Sequence, residues 1–234
     1  LHVRSRRQRQ MCIRDSNSSA EDVQNWILQK SGTFDNQAAQ DAASTLQDWN
    51  NKGYMPEGVN AVDASTALSR FCNGEGLFFP SGNWNLDTVA KALGDDVQFF
   101  AFPGATSEDE PNVAANAGAF YGIPVNAKNR DAAAAFLDYT QSAEAQQIIV
   151  DNSGYLPKSS TSDLKANSAL QQSMFDAYAD VLMSGHTSDF INNATAGMQS
   201  SGLIPNFQLL LDNSITPQEF TKNVQAQYDK EAKQ

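Results

Sequence analysis

The sequence predicts an α/β protein, on two observations. A short, wholly apolar run at residues 76–80 (GLFFP) and a second strand-like run at 97–102 (VQFFAF) alternate with longer stretches whose apolar residues recur every three or four positions. Beyond residue 157 the pattern is helical throughout. Apolar runs of strand length bounded by glycine and proline read as buried strands, and the 3.6-residue period reads as helices with one face inward. Strands alternating with helices, then a helical tail, give α/β layering. The chain has 234 residues, 41% of them hydrophobic, which is enough for a sizeable core.

Each element has its own reason. In residues 35–51, Ala38, Ala42, Leu46 and Trp49 fall on one stripe of an amphipathic helix, ended by Gly53 before a Pro56 and Gly58 loop. Asp63, Ser65 and Thr66 offer a cap to a second helix running to Phe71 and stopped by Asn73-Gly74. After the strand at 76–80, a helix over 85–93 closes at Gly94, and the strand at 97–102 ends at Pro103-Gly104. Residues 105–112, with three acids and a proline, read as an exposed linker, and 117–125 (AGAFYGIPV) as an extended segment. Helices follow at 129–140 and 142–151, the second with Glu144 near its positive end. In 167–183, Leu170, Met174, Phe175, Tyr178 and Leu182 face inward. A helix over 194–211 is interrupted by Gly202 and Pro205, and Thr216-Pro217-Gln218-Glu219 opens the last helix with a capping box. There is no internal repeat.

Charge and cysteine content exclude several function classes. The net charge is −11, from 16 basic and 27 acidic residues, so the chain repels nucleic acid and anionic lipid surfaces. No run of 18 apolar residues exists to span a membrane. Of the two cysteines, Cys12 and Cys72, the second reads as a small apolar residue at a helix end, and no cysteine-based metal cluster is available. Residues 6–16 (RRQRQMCIRDS) change abruptly into an acidic, Asn/Gln/Ala-rich body. The string resembles the translation of a transposon-derived sequencing-library adapter. Residues 1–16 are therefore expected to be a non-native leader, the genuine reading frame starting near Asn17; a basic nucleic-acid-binding arm is the alternative.

A family resemblance rests on segments in order. Residues 71–84 (FCNGEGLFFPSGNW) resemble a signature of extracellular solute-binding proteins serving sugar transporters: a helix end, a buried strand, then glycine–x–tryptophan. Residues 118–124 (GAFYGIP) are similar to that family's returning strand and 132–145 to the helix pair after it. Residues 153–157 (SGYLP) are similar to the turn opening the C-terminal helices, and 215–220 to the start of the last helix. The resemblance implies a two-lobed periplasmic-binding-protein-like fold, like that of maltose-binding proteins, with most of the first lobe lacking. Residues 17–104 would belong to the second lobe, 105–157 would be the linker and segment returning to the first, and 158–234 the C-terminal helices of the second.

The same resemblance implies the function: a sugar or oligosaccharide is bound outside the cytoplasmic membrane and delivered to ABC transporter permease subunits. The protein would be a monomer, held as a cell-surface lipoprotein or in a periplasm, without enzymatic activity, cofactor or nucleic-acid partner. A sugar offers an apolar C–H face to an aromatic ring and hydroxyls to paired donors and acceptors. Asn83-Trp84-Asn85 supplies both, after a glycine, Gly82, that lets backbone approach closely. Trp84 is thus either a sugar platform or ordinary core, and the motif favours the platform. Phe120 and Tyr121, on the returning segment, are candidate second-lobe contacts, core packing being their alternative. Asn206 reads as a helix cap sooner than a cleft residue, Trp26 and Trp49 as core, and Glu75 as a solvated turn residue. A glycoside-processing hydrolase is the competing reading, because paired carboxylates can perform that chemistry. No acid sits in a positioning motif, however, and neither a phosphate loop nor a nucleophile elbow is present. A helical interaction module would leave the glycine–Asn–Trp element unexplained.

Overall fold

Side-chain caps start several of the helices. In a computed structural model that describes residues 19–103, 113–115, 121–153 and 164–232, the helices are α1 (Ala20–Ile27), α2 (Gln37–Asn51), α3 (Ala64–Cys72), α4 (Leu86–Leu93), α5 (Arg130–Tyr139), α6 (Ala143–Ser153), α7 (Ala169–Ser184), α8 (Ile204–Leu211) and α9 (Pro217–Ala232). Asn36 accepts from the Ala39 amide at 2.9 Å to open α2, and Asp63 from the Thr66 amide at 2.7 Å to open α3. Gly53 and Gly74, at φ +70° and +83°, follow the ends of these helices in the left-handed region that a side chain resists. At α9 the capping box is complete: the Thr216 amide donates to Glu219 Oε2 at 2.8 Å, and the Glu219 amide to Thr216 Oγ1 at 3.2 Å.

The chain folds as two compact units. One comprises Leu1–Ser81, Ala101–Asn116 and Tyr178–Gln234, the other Gly82–Phe100 and Ala117–Ala177. The first is organised around Trp26, only 1% exposed, whose ring stacks on Tyr228 at 4.6 Å and tilts against Phe34 at 5.3 Å. Phe220 joins the cluster through Phe34 and Phe207. Each large side chain so buried contributes roughly 1.5–3 kcal/mol. Polar groups lock the register of the packing. The Tyr228 hydroxyl donates to the Trp26 carbonyl at 2.9 Å, and Gln225 Oε1 accepts from the Phe34 amide at 2.6 Å and the Trp26 indole at 3.2 Å. From α2, Gln47 and Asn50 donate to the Leu210 and Leu211 carbonyls that end α8. The inner face of α2 runs through Ala39, Ala42, Ala43 and Leu46, so Ala39 takes the place expected of Ala38. Trp49 is half-buried, with Phe102 6.5 Å away.

The expected break in the 194–211 helix takes a definite form. Residues Met198–Leu203 wind as a π-helix before α8, with Pro205 in the first turn of α8. Asn206 is buried; its amide donates to the Gly202 carbonyl at 2.7 Å, and its carbonyl accepts from Asn223 at 2.9 Å. It closes the distorted turn onto α9.

In the second unit, Leu86 and Val89 of α4, Ala145 and Val150 of α6, and Leu170, Met174 and Phe175 of α7 are buried. Gln171 fastens α7 to α6, donating to the Val150 carbonyl at 2.9 Å and accepting from the Asn167 amide at 2.7 Å. No residue of α5 is buried.

Strands are where expectation and structure differ. Among the described residues the sheet is one parallel pair, β1 (Val113–Ala114) with β2 (Thr187–Ser188), Val113 opposite Thr187. Among the described residues, the runs at 76–80 and 97–102 form no strand. Leu77 is 79% exposed, so that run is not buried either. An apolar run becomes a strand only when another strand presents its edge; here the Phe99 amide is satisfied by the Ser173 hydroxyl at 2.9 Å. Conversely, β2 interrupts a stretch expected to be all helix. The linker at 105–112 and the turn at 154–157 lie outside the described residues, as does 117–120 of the expected extended segment.

The α9 box gives a test of its own. Hydrogen bonds from the Thr216 amide and hydroxyl hold the Glu219 carboxyl below the usual glutamate range. A depressed folded value means the box stabilises fully above the unfolded value and fades as pH falls through the folded one. Melting curves of Glu219→Gln and wild type are expected to differ at neutral pH and converge in acid; a gap that stays constant with pH contradicts this.

Candidate functional site

The candidate site begins where α4 begins. Residues Asn83–Asn85 form one turn of 3-10 helix, closed by the Asn85 amide donating to the Gly82 carbonyl at 3.2 Å. The turn feeds directly into α4, whose Leu86 and Val89 are buried. Apolar anchors on α4 therefore fix the position from which Asn83, Trp84 and Asn85 project.

Trp84 is 44% exposed, which rules out the ordinary-core alternative. Its indole lies back over Gly82. A Cβ built on Gly82 would fall inside the benzo edge of that ring, with Cζ3, Cη2 and Cε3 as its three nearest atoms. Asn83 and Asn85 are half-buried on either side in sequence. No residue from 82 to 86 is ionisable. The segment thus offers an open aromatic surface with uncharged donors and acceptors adjacent to it, a set that suits a neutral polyhydroxylated ligand.

The other expected residues fall as follows. Tyr121 belongs to the same compact unit and is 66% exposed; Phe120 lies outside the described residues. Asn206 has its amide committed within the first unit, as a structural residue. Glu75 is exposed, 3.9 Å from Arg70. Cys72 is half-buried, and burial pushes its thiol up, away from the thiolate a nucleophile needs. Among the described residues no group of three or more His, Cys, Asp or Glu is placed to hold a metal, and no helix is long and apolar enough to cross a membrane. Sequence reasoning missed the contact between Gly82 and Trp84. The signal was present in their spacing, because a residue two positions before a tryptophan is within reach of its ring.

Comparison with known proteins gives the family and the fold. Residues 10–175 match the model of a family described as bacterial extracellular solute-binding protein; the match starts inside the 1–16 segment. No curated protein sequence matches the chain. Solved structures superpose over nearly all of it. A chitin oligosaccharide binding protein matches at 17% identity and TM-score 0.75, over 97% of this chain and 57% of its own. The maltose-maltodextrin binding protein of Alicyclobacillus acidocaldarius matches at 16% identity and TM-score 0.69, over 98% and 62%. A Bacillus licheniformis sugar transporter protein in complex with stachyose matches at 12% and 0.67, over 96% and 58%. The chain spans about three fifths of the length of these structures. At such identities the likeness is one of fold, and that fold is the two-lobed periplasmic-binding-protein class that the sequence motifs implied.

The exposure of Trp84 can be measured. Of the three tryptophans, Trp26 is buried and Trp49 half-buried. Acrylamide is therefore expected to quench chiefly Trp84 emission, and Trp84→Phe to remove most of the quenchable fraction. An unchanged quenching slope in that variant would contradict the placement of the ring.

Proposed function

The chain belongs to the bacterial extracellular solute-binding protein family, and from that premise we propose that it captures a neutral sugar or oligosaccharide outside the cytoplasmic membrane for an ABC transporter permease. The observation that carries the reading is the 44% exposure of Trp84, which has an asparagine on either side of it in sequence. An indole face accepts the C–H face of a pyranose ring, replacing two poorly hydrated surfaces by one contact. The Asn83 and Asn85 amides carry both donors and acceptors, which is what hydroxyls need once water is displaced. Tyr121 adds a second aromatic with a hydroxyl, and Phe120 a third, from a chain segment distant in sequence. The solved structures of similar fold, for chitin oligosaccharides, maltodextrin and stachyose, support the ligand class without selecting among its members.

In this reading the protein carries out no reaction. Binding energy is used to favour a closed arrangement of the two lobes around the sugar, and that form docks on the permease subunits. The protein acts as a monomer, lipid-anchored at the cell surface or held in a periplasm. A solute-binding family, with no residues from 82 to 86 able to act as general acid or base, leaves no support for the hydrolase alternative.

Calorimetric titration with chito-, xylo- and malto-oligosaccharides and stachyose is expected to find at least one ligand. Trp84→Ala is expected to weaken it tenfold or more, which is about 1.4 kcal/mol. Silence across the whole panel, or full affinity in the variant, would overturn the proposal.

A further inference from the structure

Gly82 stands apart from the glycines that end helices. Gly53 and Gly74 have left-handed backbones and nothing within 4 Å of where a side chain would be, so each is there for its conformation. Gly82 has φ −118° and ψ 179°, ordinary extended backbone open to any residue. What a side chain cannot have at Gly82 is the space. The three nearest atoms to a Cβ there all belong to the Trp84 ring, closer than real Cβ atoms ever come. The ring is rigid and cannot yield as the end of a lysine or methionine would. The backbone between the two residues is held as well, by the Asn85 amide bonded to the Gly82 carbonyl. A methyl group at position 82 must therefore drive the indole into another rotamer.

We propose that Gly82 is a positioning residue for Trp84: its bare Cα seats the benzo edge of the indole and sets the ring's orientation before any ligand arrives. This rests on the reading of Trp84 as the sugar platform and extends it from which residue stacks to what aims it. An aromatic side chain with 44% of its surface in solvent would otherwise sample several rotamers, and each sugar bound would have to select one. Seating one edge on the chain's own backbone removes part of that cost. It also assigns Gly82 a role different from close approach to ligand, since the indole already occupies the space above it.

The test begins with the unliganded, nitrogen-15-labelled full chain. Three tryptophans give three indole N–H resonances, and Trp84→Phe identifies the one of interest. In Gly82→Ala that resonance is expected to move while those of Trp26 and Trp49 stay, which also reports that the fold is intact. Thermal melts complete a double-mutant cycle. Gly82→Ala is expected to lower Tm in the wild-type background and to leave Trp84→Ala unchanged, because the atoms it would strike are then gone. An unmoved Trp84 resonance, or an equal loss of Tm in both backgrounds, overturns the contact as the reason for the glycine. Sugar titrations then separate the two claims. If Trp84→Ala binds as wild type does, the platform reading falls and the binding role of Gly82 with it. If Trp84→Ala loses binding while Gly82→Ala keeps full affinity, only the positioning role falls. The expected result is a severalfold loss in Gly82→Ala, smaller than that in Trp84→Ala.

Discussion

Two atoms cannot share one place, and at residues 82–84 that rule decides more than any hydrogen bond. The Trp84 indole occupies the volume that a side chain at position 82 would need. The ring is therefore set against backbone along one edge while 44% of the residue stays exposed, a condition that burial in a core or free suspension in water would not give. A tryptophan with no seat loses rotamer freedom only when ligand binds, and that loss subtracts from affinity. A tryptophan fully packed has no face to offer. In the proposed site, the glycine two residues earlier would let the side chain be both fixed and available.

The second unit rests on apolar anchors and an amide tie. Leu86 and Val89 anchor α4, and Gln171 joins α6 to α7 by satisfying the Val150 carbonyl. The first unit is built differently, with an aromatic cluster around Trp26, and the Gln225 amide and Tyr228 hydroxyl tie residues 26–34 to α9 across some two hundred positions. Its buried Asn206 shows how a distorted helix is tolerated: the π-helical turn at Met198–Leu203 exposes a carbonyl, and a neighbouring amide accepts the task of covering it.

Helices were readable from sequence because their causes are local. Asp63, Thr216-Glu219, Gly53, Gly74 and Gly94 act within a few residues, and α3, α4 and α9 begin or end within a residue or two of where those signals stand. Strands were not, because a strand is defined by a partner distant in the chain. GLFFP and VQFFAF carry the composition of buried strands, yet neither is a strand in the structure, while the two-residue β2 at Thr187–Ser188 carries no signal beyond its β-branched start. The division into units was equally hidden, since residues 82–100 group with 117–177 and no composition change marks Ser81 from Gly82. At the candidate site the residue types were legible from Gly82 to Asn85, whereas the seating of one on another is a matter of rotamer. That cannot be read without coordinates.

The most direct measurement is the Trp84 indole resonance during titration of the intact chain with an oligosaccharide that binds it. The account predicts that this resonance shifts in step with occupancy, while those of buried Trp26 and half-buried Trp49 move little. Saturating sugar binding that leaves the Trp84 resonance where it was would contradict it.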